Sequence, residues 1–183
     1  MSRIVITFGR FNPPTIGHEK LINAVKHIAS GDDYHIYPSH SQDKKKNPLS
    51  SETKVEYMKK MFPSHKDHII YDTSLKTIIN VLQKLQGTYT DVTLVVGSDR
   101  VPEMEKLILK YNGIEYTFKN IDVKSAGERD PDADGAAGMS ASKMRAAAVE
   151  GDTASFRKGI PTTLDNSHVI QLMKKVREGL GIK

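Results

Sequence analysis

An α/β fold of the doubly wound type is predicted here: a parallel sheet of about five strands, helices on both faces and a closing C-terminal helix. Three observations predict it. Short runs rich in β-branched residues recur along the chain, helical periodicities fall between them, and the turn after the first run concentrates glycine, proline and histidine at the rim where such folds bind ligands.

The runs Arg3–Phe8, Tyr34–Tyr37, His68–Tyr71 and Asp91–Val96 read as buried strands, with Glu115–Lys119 as a fifth. One helical face follows His18 through Leu21, Ile22, Val25 and Ile28. A second runs through Val55, Met58, Met61 and Phe62, and a third through Leu75, Ile78, Ile79, Leu82 and Leu85. Ser50, with Glu52 and Thr53 nearby, supplies one helix start, and Thr73–Ser74 another. Alternation at these lengths implies right-handed crossovers between parallel strands. The segment Lys124–Gly138 is rich in glycine and small residues and reads as a loop. It precedes a helix opening at "MSASKMR", and a final helix is expected from about Leu164 to Gly179.

At 183 residues the chain suits one domain with a well-buried core, and no internal repeat or linker divides it. The formal charge of 27 − 22 = +5 favours anionic partners. Much of the excess lies in "DKKKN" (Asp43 to Asn47) and in the C-terminal "MKKVREGLGIK", so a broad basic face for a duplex is not indicated. Single-stranded nucleic acid would need stacking platforms near those lysines, and aromatic residues are only 7% and not clustered there. Apolar runs are too short to span a membrane, and the N-terminus lacks the pattern of a signal peptide. Without cysteine, neither disulfides nor thiolate metal sites can form, and the expected compartment is the cytoplasm.

The turn after the first strand reads "GRFNPPTIGH". Gly9 removes a side chain where the backbone leaves the strand, and Gly17 allows close approach at the helix start. Pro13–Pro14 stiffen the loop between them. The free N–H groups and positive dipole end of the next helix then face the crevice, suited to a phosphate. His18 can donate to a phosphate oxygen there, and Thr15 adds a hydroxyl. On residue types alone, a rigid strand–helix turn with an incidental histidine competes with this reading.

The decapeptide resembles the signature of the nucleotidyltransferase superfamily named for its [HT]-x-G-H motif. Its members include nicotinamide-mononucleotide and phosphopantetheine adenylyltransferases and glycerol-phosphate cytidylyltransferases. The fuller pattern G-x-F-x-P-x-[HT]-x-G-H is matched at Gly9, Phe11, Pro13, Thr15, Gly17 and His18, with Thr for the first His as in the phosphopantetheine branch. "MSASKMR" resembles the family's I-S-x-[ST]-x-x-R element at Ser140, Ser142 and Arg145, with Met139 for Ile. "KNPLS", Lys46 to Ser50, is similar to an N-P-[FL]-[ST] segment of nicotinamide-mononucleotide adenylyltransferases. "VVGSDR" resembles a nucleotide-contacting turn at Gly97 and Asp99.

The resemblance covers about residues 3–150. It implies a Rossmann-like nucleotide-binding core over 1–150 and a C-terminal helical segment over 151–183, together one nucleotidyltransferase domain. It further implies transfer of a nucleoside monophosphate, AMP from ATP as the first expectation, to a phosphorylated small molecule with release of pyrophosphate. His18, Lys46 and Arg145 would carry the catalysis. Gly9, Arg10, Phe11, Thr15, Gly17, Gly97, Asp99, Ser140 and Ser142 would join His18 and Arg145 in binding the nucleotide. Mg²⁺ would arrive with the triphosphate and not in a protein cage.

Nicotinamide mononucleotide is the first acceptor expected, although the chain has no tryptophan for the stacking common in that branch. Cytidylyl transfer, or adenylyl transfer to phosphopantetheine or a sugar or alcohol phosphate, stays open. So does a non-catalytic nucleotide sensor. Family members often associate, which leaves a homo-oligomer open. Two other features point to no metal. "DPDADG" (Asp130, Asp132, Asp134, Gly135) opens like a calcium loop but has Ala141 at its twelfth position, and His35, His40, His65 and His68 lack a ligand spacing.

Overall fold

The first strand, β1 (Arg3–Gly9), carries Ile4, Val5 and Ile6 with no exposure, so it is covered on both faces as central parallel strands are. The other strands are β2 (Asp33–Pro38), β3 (Asp91–Val96) and β4 (Asn120–Ser125), in the order β2-β1-β3-β4. β1 pairs with β3 and β3 with β4 in parallel; Ile4 faces Val92, which faces Ile121. Because β2 and β3 lie on opposite sides of β1, strand order reverses there, and chain leaving β1 does so at the switch point of the sheet. The α/β class with flanking helices is the one expected, with four strands where five were expected.

The computed structural model describes residues 2–127 and 140–182 and comprises two compact units. The first unit takes Met1–Phe8, Lys20–Tyr37 and Asp72–Arg129, and so holds most of the sheet. Its helices are most of α1 (Ile16–Ala29), then α3 (Ile78–Leu85) and α4 (Val101–Tyr111). The second unit takes Gly9–Glu19, Pro38–Tyr71 and Asp130–Lys183. It holds α2 (Ser51–Met61), a 3₁₀ turn (Pro63–His68), α5 (Ala141–Glu150), α6 (Thr153–Lys158) and α7 (Asn166–Gly179).

Local chemistry sets these boundaries. Ser50 caps α2 by accepting from Thr53 N, as expected, while Ser140, Asp152 and Asp165 do the same for α5, α6 and α7. Gly151, at φ 70°, closes α5 in the left-handed conformation that glycine adopts without strain. The helix expected after Thr73–Ser74 starts later. Asp72 Oδ1 accepts from both Ser74 N and Ser74 Oγ to build a turn, and a capping box of Thr77 and Asn80 opens α3.

His68–Tyr71 is not a strand. Pro63 starts a 3₁₀ turn that runs through His68, leaving Ile69 as a lone bridge residue. Glu115–Lys119 is not one either. The side chain of Asn112 takes both backbone groups of Phe118, accepting its N–H at 2.9 Å and donating to its carbonyl at 3.2 Å, and Tyr116 Oη donates to Ile108 O. With those groups satisfied off the sheet, pairing begins only at Asn120. β4 then takes Lys124 and Ser125 from the segment expected to be loop. The rest of that segment from residue 128 on, including the calcium-like run Asp130–Gly135, lies outside the described residues. Two helices, α4 and α6, had no counterpart in the periodicity; α4 buries only Met104 and Ile108 among charged neighbours.

Candidate active site

The second unit contains the decapeptide, the Lys46 loop and the late Ser-x-Ser-x-x-Arg element, and a single buried residue ties them together. Asn12 is fully buried. Its Nδ2 donates to Leu49 O at 3.1 Å and its Oδ1 accepts from Leu49 N at 2.8 Å, clamping "GRFNPP" to "NPLS". The main-chain carbonyl of Asn12 accepts from Arg145 Nη1 at 2.8 Å, so the guanidinium is fastened to the same residue. Arg145 Nη2 also donates to Ser142 Oγ at 3.2 Å. Sequence reading passed over Asn12 because it occupies an unspecified position of the motif; its partner lies 37 residues away.

Thr15 and His18 form the mouth of α1. Thr15 Oγ1 accepts from Gly17 N at 3.1 Å and from His18 N at 3.3 Å, which caps the helix and buries the hydroxyl. The N–H of Thr15 donates to His18 Nδ1 at 3.0 Å. A ring nitrogen that accepts carries no proton, so the neutral imidazole bears its hydrogen on Nε2. Phe11 braces the ring edge-on, centroids 4.8 Å apart at 70°. Phe11 is buried with φ 47°, a backbone conformation costing a non-glycine residue about 1–3 kcal/mol. Its ring lies against Gly9, where a Cβ would come within 3.2 Å of Phe11 Cε2. A methyl group at position 9 would therefore press on the ring that braces His18, the shelf of this histidine.

Charge collects beside this shelf. Burial first, and then the like charge of Arg10, push the Arg145 guanidinium below its ordinary value, while Asp43 pulls it back. Arginine stays protonated regardless, so Arg10 and Arg145 form a cationic pair whose repulsion an anion would relieve. The Lys46 side chain stands exposed on a loop organised by Asp43. Asp43 Oδ1 accepts from the backbone N–H groups of Lys45 (2.9 Å), Lys46 (2.8 Å) and Asn47 (3.3 Å), and Oδ2 from Asn47 Nδ2 (2.8 Å). These bonds hold the Asp43 carboxyl far below the usual carboxylate range. Ser140 Oγ accepts from Lys143 N at 3.2 Å as the cap of α5.

Gly97 and Asp99 belong to the first unit, after β3. A Cβ at Gly97 would lie 2.9 Å from Asp99 Oδ1, so the glycine makes room for that carboxylate to fold over the backbone. Among the described residues no group of three or more histidine, aspartate and glutamate side chains is set to hold a metal. None of the described helices is long and apolar enough to cross a membrane.

The four-stranded parallel sheet with its flanking helices defines a Rossmann-like α/β protein. The chain belongs to the cytidylyltransferase-like family, whose model matches residues 6–150. A Sulfurimonas denitrificans protein named as a nicotinate-nucleotide adenylyltransferase is 27% identical over 110 residues, which are 57% of this chain and 60% of that relative. The chain thus spans about three fifths of the length of the curated relative it matches.

Solved structures share the fold. A Vibrio parahaemolyticus protein named as a nicotinate-nucleotide adenylyltransferase superposes with a TM-score of 0.60 at 20% identity, covering 94% of this chain and 99% of that one. The Plasmodium falciparum nicotinic acid mononucleotide adenylyltransferase, complexed with NaAD, superposes with a TM-score of 0.61 at 16% identity over 98% of each chain.

Proposed function

We propose that this protein is an adenylyltransferase that moves AMP from ATP to a pyridine mononucleotide and releases pyrophosphate. The observation that carries the reading is the anchoring of a guanidinium and an imidazole donor on one short segment. Arg145 is bonded to Asn12 O, and His18 to Thr15 N. The names of the relatives favour nicotinate mononucleotide, the "NPLS" segment the nicotinamide form, so both belong in the test.

In this mechanism the acceptor phosphate, already ionised at neutral pH, attacks the α-phosphorus in line, and the bond to the departing pyrophosphate breaks. No general base is needed; catalysis comes from alignment and from neutralising developing charge. His18 donates through Nε2–H to the α-phosphate. Thr15 acts on the imidazole and the helix cap. Arg145, with Arg10 beside it, receives the leaving pyrophosphate, and Lys46 bridges donor and acceptor phosphates. The donors gathered here are cationic and suit phosphate oxygens, so Mg²⁺ would be held by the triphosphate and water, where it supplies charge neutralisation.

The test is pyrophosphate release with Mg²⁺, each ribonucleoside triphosphate, and a panel of nicotinate mononucleotide, nicotinamide mononucleotide, phosphopantetheine and sugar phosphates. Release that requires ATP and a pyridine mononucleotide is expected. Tight ATP binding with no release on any acceptor would replace the enzyme with a sensor. His18→Ala should lose about 3 kcal/mol of transition-state stabilisation, roughly a hundredfold in kcat. Sedimentation of the same preparation decides whether the working form is a homo-oligomer.

A further inference from the structure

Lys54 on α2 has no exposed surface, although it carries an ammonium group. A buried charge is costly and is normally paired with a carboxylate. Among the described residues Lys54 makes no ion pair. Its Nζ donates to Ser39 O at 2.6 Å and, at 3.5 Å, to Ser39 Oγ. Burial pulls the amine down to about 8. A methionine or leucine would fill the same space without that penalty, so the ammonium calls for an explanation beyond packing.

Its contact leads directly to the histidine shelf. Ser39, one residue beyond β2, donates its N–H to Gly9 O at 2.7 Å. Gly9 offers the bare Cα against which the Phe11 ring lies, and that ring braces His18. Lys54, Ser39, Gly9, Phe11 and His18 all lie in the second unit. They form an unbroken sequence of contacts from a buried ammonium to the imidazole.

We propose that Lys54 is a positioning residue for His18: by gripping Ser39 it fixes the exit of β1 at Gly9, and through the Phe11 ring it sets the orientation of the imidazole. Nothing in the family motifs marks this residue, since none of their matched positions includes it. The inference deepens the adenylyltransferase reading and rests on it for its kinetic consequence. The geometric consequence is independent of turnover.

The decisive comparison uses Lys54→Met, Lys54→Gln and Lys54→Arg in the full chain. Ring nitrogen and proton NMR of His18 reports whether Nε2–H stays the protonated site beside Phe11, with no substrate present. The expected result is a displaced His18 signal in the two neutral variants and near-native signals in Lys54→Arg, which keeps a charged donor. Where ATP-dependent turnover is measurable, the neutral variants should lose roughly tenfold in kcat with KM for ATP changed less than about twofold, as expected of misalignment without lost binding. If Lys54→Met fails to fold, Lys54→Gln carries the same readouts.

Unmoved His18 signals in a folded neutral variant would overturn the proposal, as would equal displacement in Lys54→Arg. A wild type that shows the His18 signals but no turnover on any acceptor would defeat the adenylyltransferase reading and leave this proposal standing on its spectroscopic arm.

Discussion

Asn12→Ala is the substitution that most directly challenges the way the site is assembled. The amide of Asn12 makes two hydrogen bonds, at 3.1 and 2.8 Å, to the carbonyl and N–H of Leu49. Leu49 is itself buried, at 2% exposure, so neither group can turn to water when the amide is removed. Each buried group left without a partner costs about 1–3 kcal/mol, so the pair should cost about 2–6 kcal/mol. Against a total stability of about 5–15 kcal/mol for a domain, that is a large fraction.

Urea unfolding of wild type and variant, compared at equal m-values, measures this directly. A second consequence separates the clamp from general stability. Arg145 is bonded to the main-chain carbonyl of Asn12, which alanine retains. The "NPLS" segment should therefore loosen before the arginine does, so hydrogen exchange at Leu49 N should accelerate more than exchange across α5. A loss below about 0.5 kcal/mol, in the range of ordinary surface substitutions, would refute the clamp.

Three further perturbations follow from the same geometry. Gly179→Ala places a Cβ 1.9 Å from Pro48 O, so α7 or the "NPLS" backbone must shift; a loss of about 2–3 kcal/mol is expected, lowering Tm by roughly 5–10 °C. Asp43→Ala should free the amides of Lys45, Lys46 and Asn47, raising the rate of tryptic cleavage at Lys44–Lys46 in folded protein; unchanged cleavage would mean the carboxylate does not organise the loop. Lys54 gives a pH signature. Its amine sits at about 8 in the fold against an ordinary 10.5, so between these values the unfolded chain binds the extra proton and wild type should gain stability as pH rises. Lys54→Met should lack that gain, of order a few kcal/mol across the window; matching pH profiles would place the ammonium in water.

What the sequence revealed and what it concealed differ by the range of the physics involved. The turn built by Gly9, Thr15, Gly17 and His18 was legible because its residues lie within ten positions and satisfy its backbone locally. Arg145 was legible by its spacing from Ser142, to which it does donate. Asn12, Lys54 and Gly179 were not, because the partner of each lies in a distant stretch; Asp43 was not either, because a carboxylate beside a lysine run reads as surface charge although its partners are its own neighbours Lys45, Lys46 and Asn47. "SETKVEYMKK" looks like an amphipathic helix with a solvated lysine, and only the fold puts Ser39 over Nζ. "REGLGIK" looks like a fraying end, and only Pro48 explains why position 179 has no side chain.

The strand errors have the same origin. Asn112 and Pro63 redirect backbone hydrogen bonds away from a sheet that the apolar residues nearby would otherwise have suggested. In the proposed mechanism the motif residues supply the chemistry of the helix mouth, and the unmarked residues hold it in place. A divergent member could keep every motif position and still lose activity through Asn12 or Lys54 alone. Grafting the motif residues onto a related scaffold without that pair should accordingly bind ATP and transfer poorly.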